Sequence, residues 1–114
     1  MHEASIAQSI MDMALRQLED SGYTKIDSVS IKVGQASGIL TDSLMFAFEA
    51  MKHGSPLAGA ALLVEEVPVG GTCGACGKGF TTGEKFIFNC PRCGSPDIEV
   101  RQGRELDFVE MEVS

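Results

Sequence analysis

All four cysteines of the chain lie in one stretch, as two pairs of identical internal spacing: Cys73-Gly-Ala-Cys76, thirteen residues, then Cys90-Pro-Arg-Cys93. Two residues between cysteines let one tight turn aim both sulfurs at a single point. A zinc-type cation takes four thiolates at tetrahedral corners, about 2.3 Å from each sulfur. Gly77 and Gly94 follow the second cysteine of each pair, where such turns often need a left-handed backbone. The spacing predicts two metal-binding turns joined by a hairpin, with Cys73, Cys76, Cys90 and Cys93 as ligands. Four thiolates saturate the ion, so the site is expected to be structural, with zinc as the favoured metal. Tetrahedral sulfur also suits iron, and the choice stays open at this level. Disulfides fit poorly in a chain without a visible export signal. A redox dithiol leaves the second pair without a role.

The 114 residues, 44% of them hydrophobic, suffice for one small domain with a stapled module. A formal net charge of −7 and the absence of a Lys/Arg cluster argue against a nucleic-acid partner. The longest apolar run, residues 57–64, is far too short for a bilayer, so no membrane association is expected. Metal-spaced thiols without an export signal point to the cytoplasm.

Residues 5–20 read as an amphipathic helix, with Ser5, Ser9, Asp12, Arg16 and Glu19 as a polar stripe and Ile6, Ala7, Ile10, Met11, Met13, Ala14, Leu15 and Leu18 as a broad apolar surface. Ser5 with Gln8 resembles a capping box, with Glu3 as an earlier alternative start. Asp12 and Arg16 are spaced to pair across one turn, and Gly22 ends the helix. Ile26 to Val33 alternates as a half-buried strand, and residues 34–38 form a loop. A second helix is expected with Thr41 as N-cap, Asp42 in its first turn, and Leu44, Phe46, Ala47, Phe48 and Met51 facing the core. His53, at its end, reads as a cap or a solvated surface residue. Residues 60–67 read as a second strand, Phe86-Ile87-Phe88 as a short strand within the cysteine module, and residues 105–113 as a third strand. The third strand needs a bulge near Phe108 and Val109, or burial of both faces, to reconcile its two apolar sets. The expected architecture is α/β: a small mixed three-stranded sheet with two helices and an inserted zinc-ribbon module. Residues 1–68 and 102–114 form the α/β domain, and 69–101 the zinc ribbon, which depends on its metal to fold.

The N-terminus carries a second constellation. The Met1 amine titrates near pH ~8 and so deprotonates close to neutrality. That amine, the His2 backbone nitrogen and the His2 imidazole close two adjacent chelate rings on one ion, and Glu3 adds a carboxylate next door. A nitrogen-rich set of this kind suits the tetragonal preference of nickel(II) or copper(II). Histidine in second place leaves one in-plane position for Glu3 or an incoming ligand, so the site is open to exchange. Met1 is expected to be retained, because its removal generally requires a small second residue.

The opening Met1-His2-Glu3-Ala4-Ser5-Ile6, the segment around Val33-Gly34, and the two downstream Cys-x-x-Cys pairs together resemble the HypA/HybF family of nickel metallochaperones, over the full length and in the same order. The resemblance implies delivery of Ni(II) during [NiFe] hydrogenase maturation, and in some members service to urease. It implies a HypB-type GTPase, the hydrogenase large subunit and urease accessory proteins as partners, and a monomer or weak homodimer. The family's nickel residue carries over to His2, with Glu3 adjacent, and its zinc ligands to Cys73, Cys76, Cys90 and Cys93. A zinc-ribbon adaptor that binds a protein or nucleic acid without transferable metal is the rival reading. No catalytic triad, phosphate-cradling glycine loop or acid/base carboxylate pair is present, and no enzymatic activity is expected.

Overall fold

The computed structural model describes residues 2–114. The elements run α1 (Glu3–Ser21), β1 (Ile26–Gly34), α2 (Thr41–Met51), β2 (Ala61–Val67), β3 (Val69–Cys73), β4 (Gly79–Thr82), β5 (Ile98–Gln102) and β6 (Leu106–Val113). They form two three-stranded sheets, ordered β2-β1-β6 and β4-β3-β5. The chain divides into two compact units, one of Met1–Lys32, Ile39–Glu65 and Asp107–Ser114, the other of Val33–Gly38 and Glu66–Leu106.

In the first unit, α1 buries Ile6, Ala7, Ile10, Met11, Ala14 and Leu18, a stripe at helical spacing. Met13, expected on that surface, is 39% exposed, because the buried stripe is narrower than the run of apolar residues suggests. The polar stripe from Ser5 to Glu19 is exposed throughout. His2 is the N-cap, so the helix starts at Glu3, the earlier of the two expected points, and makes no capping box. Ser5 is then inside the first turn. Gln8 Nε2 instead donates to Asp12 Oδ1 at 2.9 Å, a bond that takes the place of the expected Asp12–Arg16 pair.

The second helix buries Leu44 and Phe48 fully, and its N-cap is Leu40 rather than Thr41. Phe46 is 77% exposed and does not face the core. A helix of 11 residues lying on its Leu44–Phe48 edge turns position 46 about 160° away from either, out into solvent. His53 is exposed and lies beyond the Lys52 C-cap, the solvated reading of its place.

The buried face of β1 is Val29, Ile31 and Val33, and Ile26 at the start of the strand is buried as well. Lys25 and Ser114 exchange both backbone hydrogen bonds, the mark of an antiparallel pair, so β6 runs against β1. Ile26 N–H reaches the Pro56 carbonyl before β2 begins, and Lys32 Nζ lies 3.7 Å from Glu65 near its end, so β2 runs with β1 and the sheet is mixed. In β6 the half-buried positions are Phe108, Met111 and Val113, with Val109 50% exposed. The inward face therefore skips a residue after Phe108, where the sequence calls for a bulge.

The second unit is built on β3, which pairs antiparallel with β4 and with β5. Phe86-Ile87-Phe88, expected as a strand, lies in irregular chain. The ladder is supplied instead by β3, β4 and β5, and residues 86–88 join neither of its edges. Gly34 belongs to this unit: its N–H donates to the Glu105 carbonyl at 2.7 Å, and the Ala36 N–H donates to that of Gly103 at 2.6 Å. A Cβ at Gly34 would lie inside the Gly103 carbonyl group and against the Arg104 nitrogen, all backbone atoms with no rotamer to yield. Gly34→Ala is expected to destabilise the second unit by roughly 1–3 kcal/mol, the usual range for forced overpacking. Urea titration followed at a second-unit amide measures it.

Candidate metal centre

Each cysteine pair sits on a knuckle, and the two knuckles are built alike. In the first, Cys73 N–H donates to the Lys78 carbonyl at 3.0 Å, and Gly77 N–H to the Cys73 carbonyl at 2.9 Å. In the second, Cys90 N–H donates to the Ser95 carbonyl at 2.7 Å, and Gly94 N–H to the Cys90 carbonyl at 2.8 Å. Both turns close through a left-handed glycine, Gly77 at φ 74° and Gly94 at φ 81°. Backbone N–H groups also point at the sulfurs: Cys76 to Cys73 Sγ and Arg92 to Cys90 Sγ, each at 3.4 Å. Such bonds stabilise thiolate, the form that ligates metal.

The four sulfurs converge within 4.8 Å of one another. Cys73 Sγ lies 3.6 Å from Cys93 Sγ, and Cys76 Sγ 3.9 Å from Cys90 Sγ. A tetrahedron with metal–sulfur bonds of about 2.3 Å has edges near 3.8 Å, and the two separations bracket that length. A disulfide requires about 2.05 Å, and all four cysteines are free. The short separations run from one knuckle to the other, so the four thiols form one site rather than two dithiols. The donor set and its spacing fit a zinc-type ion.

Electrostatics inside the cage are uneven. The backbone N–H of Cys93 holds the Cys90 thiol down, to about 6, against the opposing push of burial. The backbone N–H of Ser95 pulls Cys93 the same way, but hydrogen bonding with the neighbouring thiols, that of Cys73 foremost, outweighs it and pushes Cys93 up to about 11. Without metal, then, Cys93 holds its proton at neutral pH and must release it on coordination. Affinity for the ion rises with pH for that reason.

Several supporting groups carry no motif in the sequence. Arg92 Nε donates to the Gly79 carbonyl at 3.1 Å and ties the second knuckle to β4. Asn89 Nδ2 donates to the Gly94 carbonyl at 2.9 Å and braces the same turn from outside. Groups of this kind fix the directions of metal ligands. Asparagine and arginine beside a Cys-x-x-Cys pair are the one signal that could have pointed to them.

The N-terminal constellation is placed only in part. Met1, expected to supply the amine, lies outside the described residues. His2 is exposed, in extended conformation at φ −96° and ψ 134°, and its side chain makes no capping bond. Its carbonyl accepts from Ser5 at 3.0 Å and Ile6 at 3.2 Å, which anchors the residue at the tip of α1. Glu3 is half-buried, and its Oε2 accepts from the Leu40 N–H at 3.4 Å. Because α2 has no capping side chain of its own, the Glu3 carboxylate supplies negative charge at that helix's N-terminus. Sequence reasoning missed this link, which joins positions 37 residues apart.

Among the described residues no helix is long and apolar enough to cross a membrane. Residues 1–113 match the family model described as "Hydrogenase/urease nickel incorporation, metallochaperone, hypA". The chain is 39% identical over 112 residues to a hydrogenase maturation factor HypA of Chloroflexus aurantiacus, covering 98% of each. It is 36% identical over 113 residues to that of Geobacter metallireducens, covering 99% of each. Its fold is similar to the solution structure of the Ni metallochaperone HypA from Helicobacter pylori, with a TM-score of 0.67 at 24% identity, covering 99% of this chain and 97% of that one. A second HypA solution structure gives a TM-score of 0.73 at 23% identity, covering 100% and 97%. The chain belongs to the HypA family of hydrogenase nickel-incorporation metallochaperones, which are maturation factors and not enzymes.

Proposed function

We propose that the chain binds Ni(II) at its N-terminus and hands it on during [NiFe] hydrogenase maturation in the cytoplasm, with a structural zinc held by Cys73, Cys76, Cys90 and Cys93. The observation that carries this reading is the exposed His2 at the tip of α1 in a chain matched to the family from residue 1 to residue 113. The His2 imidazole and backbone nitrogen with the Met1 amine form the chelate, and Glu3 is the adjacent carboxylate. Zinc supplies no chemistry to nickel in this scheme. It cross-links the two knuckles and so orders the second unit.

Nickel transfer requires a recipient and a partner that triggers release. A HypB-type GTPase and the hydrogenase large subunit fill these roles, and urease accessory proteins do so where the family serves urease. The exposed polar stripe of α1, which carries Arg16 and Glu19, is the proposed docking surface, since it begins at the nickel site.

The test is complementation. In a host whose own family member has been deleted, expression of this chain is expected to restore nickel to the hydrogenase large subunit, measured by metal analysis of the purified subunit. A nickel-free subunit alongside a correctly folded, zinc-loaded chain would overturn the proposal. An N-terminal extension offers a narrower check. Fusing residues ahead of Met1 turns the amine into an amide, and nickel affinity is expected to fall by at least the roughly tenfold that loss of a supporting group alone costs a metal site. Calorimetric titration with and without a cleavable extension reads the difference.

A further inference from the structure

The chain between β4 and the second knuckle carries two aromatic side chains with no place in the core. Phe86 is 72% exposed and Phe88 78%. Large apolar groups standing together in water mark interaction sites more often than chance. These two line a cavity of about 140 Å³, together with Val69 of β3 and Val100 of β5. Lys85 and Arg104 line it as well, and neither forms an ion pair among the described residues. Glu105, next to Arg104 in the chain, accepts the Gly103 N–H at 2.6 Å and makes no ion pair with it. Glu84 precedes Lys85 and offsets part of its charge, so Arg104 is the principal cation of the rim.

An apolar cavity of about 150 Å³ takes one benzene-sized group. The pocket therefore has room for a single aromatic or branched aliphatic side chain. The unpaired cations at its rim add a demand for negative charge beside that group. We propose that this pocket docks a protein segment in which one large apolar residue is flanked by acidic ones. The apolar side chain enters between the phenylalanines and Val100, and the carboxylates meet Arg104 and Lys85. A nucleic acid fits less well. The second unit carries five cationic and five acidic residues, which leaves no net positive field to follow a phosphate backbone. The phenylalanines lie directly ahead of Cys90, so the metal that fixes the second knuckle also sets their position. Peptide binding is thus expected to require the metal-loaded protein, and it is independent of nickel.

The test uses the intact, isotope-labelled, zinc-loaded protein and three synthetic peptides: a leucine flanked by glutamate and aspartate, the same peptide with lysines for the acids, and the acidic peptide with serine for leucine. Amide shifts at Phe86, Phe88, Val100 and Arg104 are expected with the first peptide. The lysine and serine twins should bind about tenfold more weakly or worse, which corresponds to about 1.4 kcal/mol. Raising salt from about 50 mM to about 500 mM shortens the screening length and should weaken the first peptide severalfold. A Phe86→Ser/Phe88→Ser double variant removes only exposed side chains and should fold and lose the response. Arg104→Glu should lose the acidic peptide and gain the lysine twin. Equal response to all three peptides, or unchanged binding in both variants, overturns the proposal. So does concentration-dependent broadening of these amides without peptide, which would assign the pocket to a second copy of the chain.

Discussion

A Cys93→Ala protein is expected to lose its zinc and, with it, the fold of the second unit, while the first unit stays folded. Cys93 is the exposed member of the quartet, so alanine there leaves no cavity and removes no packing. Whatever is lost is lost through the metal. The second unit has little else to hold it. Its buried hydrophobic residues are Val33, Val69 and Phe80 besides Cys73 and Cys90, which are themselves ligands. Structural zinc in small peptides contributes an apparent ~10–16 kcal/mol near neutral pH, more than three such side chains supply at about 1.5–3 kcal/mol each. The first unit, by contrast, has its own core around Ile10, Val29, Ile31, Leu44, Phe48 and Leu57. The expected spectrum keeps dispersed amides for the first unit and collapses those of residues 69–102. Metal content should fall from one zinc per chain to almost none after dialysis against a chelator. Stoichiometric zinc with all amides still dispersed would refute the four-thiolate centre.

Local rules made much of this fold readable in advance. The α1 stripe follows from period 3.6, the inward face of β1 from period 2, and the knuckles from two Cys-x-x-Cys pairs each trailed by glycine. What could not be read depended on partners distant in sequence. Val69-Gly70-Gly71-Thr72-Cys73 looks like a linker, yet it is the central strand of the second sheet. Its glycines are there because neighbouring backbones come close: a Cβ on Gly71 would overlap the Glu99 carbonyl. Phe86 and Phe88 alternate like a strand, and only the sheet itself reveals that β4 and β5 take the places beside β3. The α2 cap failed by a single residue for the same reason. Thr41 is the better capping residue by its chemistry, but the Glu3 carboxylate arrives at the Leu40 N–H from another helix.

The candidate sites divide along the same line. Spacing alone brings the four cysteines together, and their geometry adds the match to a tetrahedral ion. For the N-terminal set, chain adjacency defines the chelate, but it says nothing of the contact Glu3 already makes. Glu3 has one carboxylate oxygen on the Leu40 N–H. In a nickel complex that includes Glu3, either the other oxygen ligates or the tie to α2 is released.

His2→Ala is expected to remove nickel binding and nickel-dependent maturation while zinc content and thermal stability stay at wild-type values. The side chain is exposed and caps nothing, so its removal costs the fold nothing. Its loss deletes the imidazole and one of the two chelate rings, and affinity should drop by more than the roughly hundredfold that a lost supporting residue costs at most. A cation at a helix N-terminus is disfavoured by about 0.3–1 kcal/mol, because the unpaired N–H groups there are positive. Ligation through a deprotonated backbone nitrogen brings negative charge to that spot and offsets the penalty, so binding is coupled to proton release. Acidification should therefore weaken nickel binding, because the deprotonated backbone nitrogen regains its proton as the metal leaves. Isothermal titration of the wild-type and His2→Ala proteins in buffers of different ionisation enthalpy measures both the affinity and the protons released. Full nickel affinity in His2→Ala would move the site elsewhere in the chain. Tight binding without proton release would keep His2 but exclude its backbone nitrogen from the ligand set.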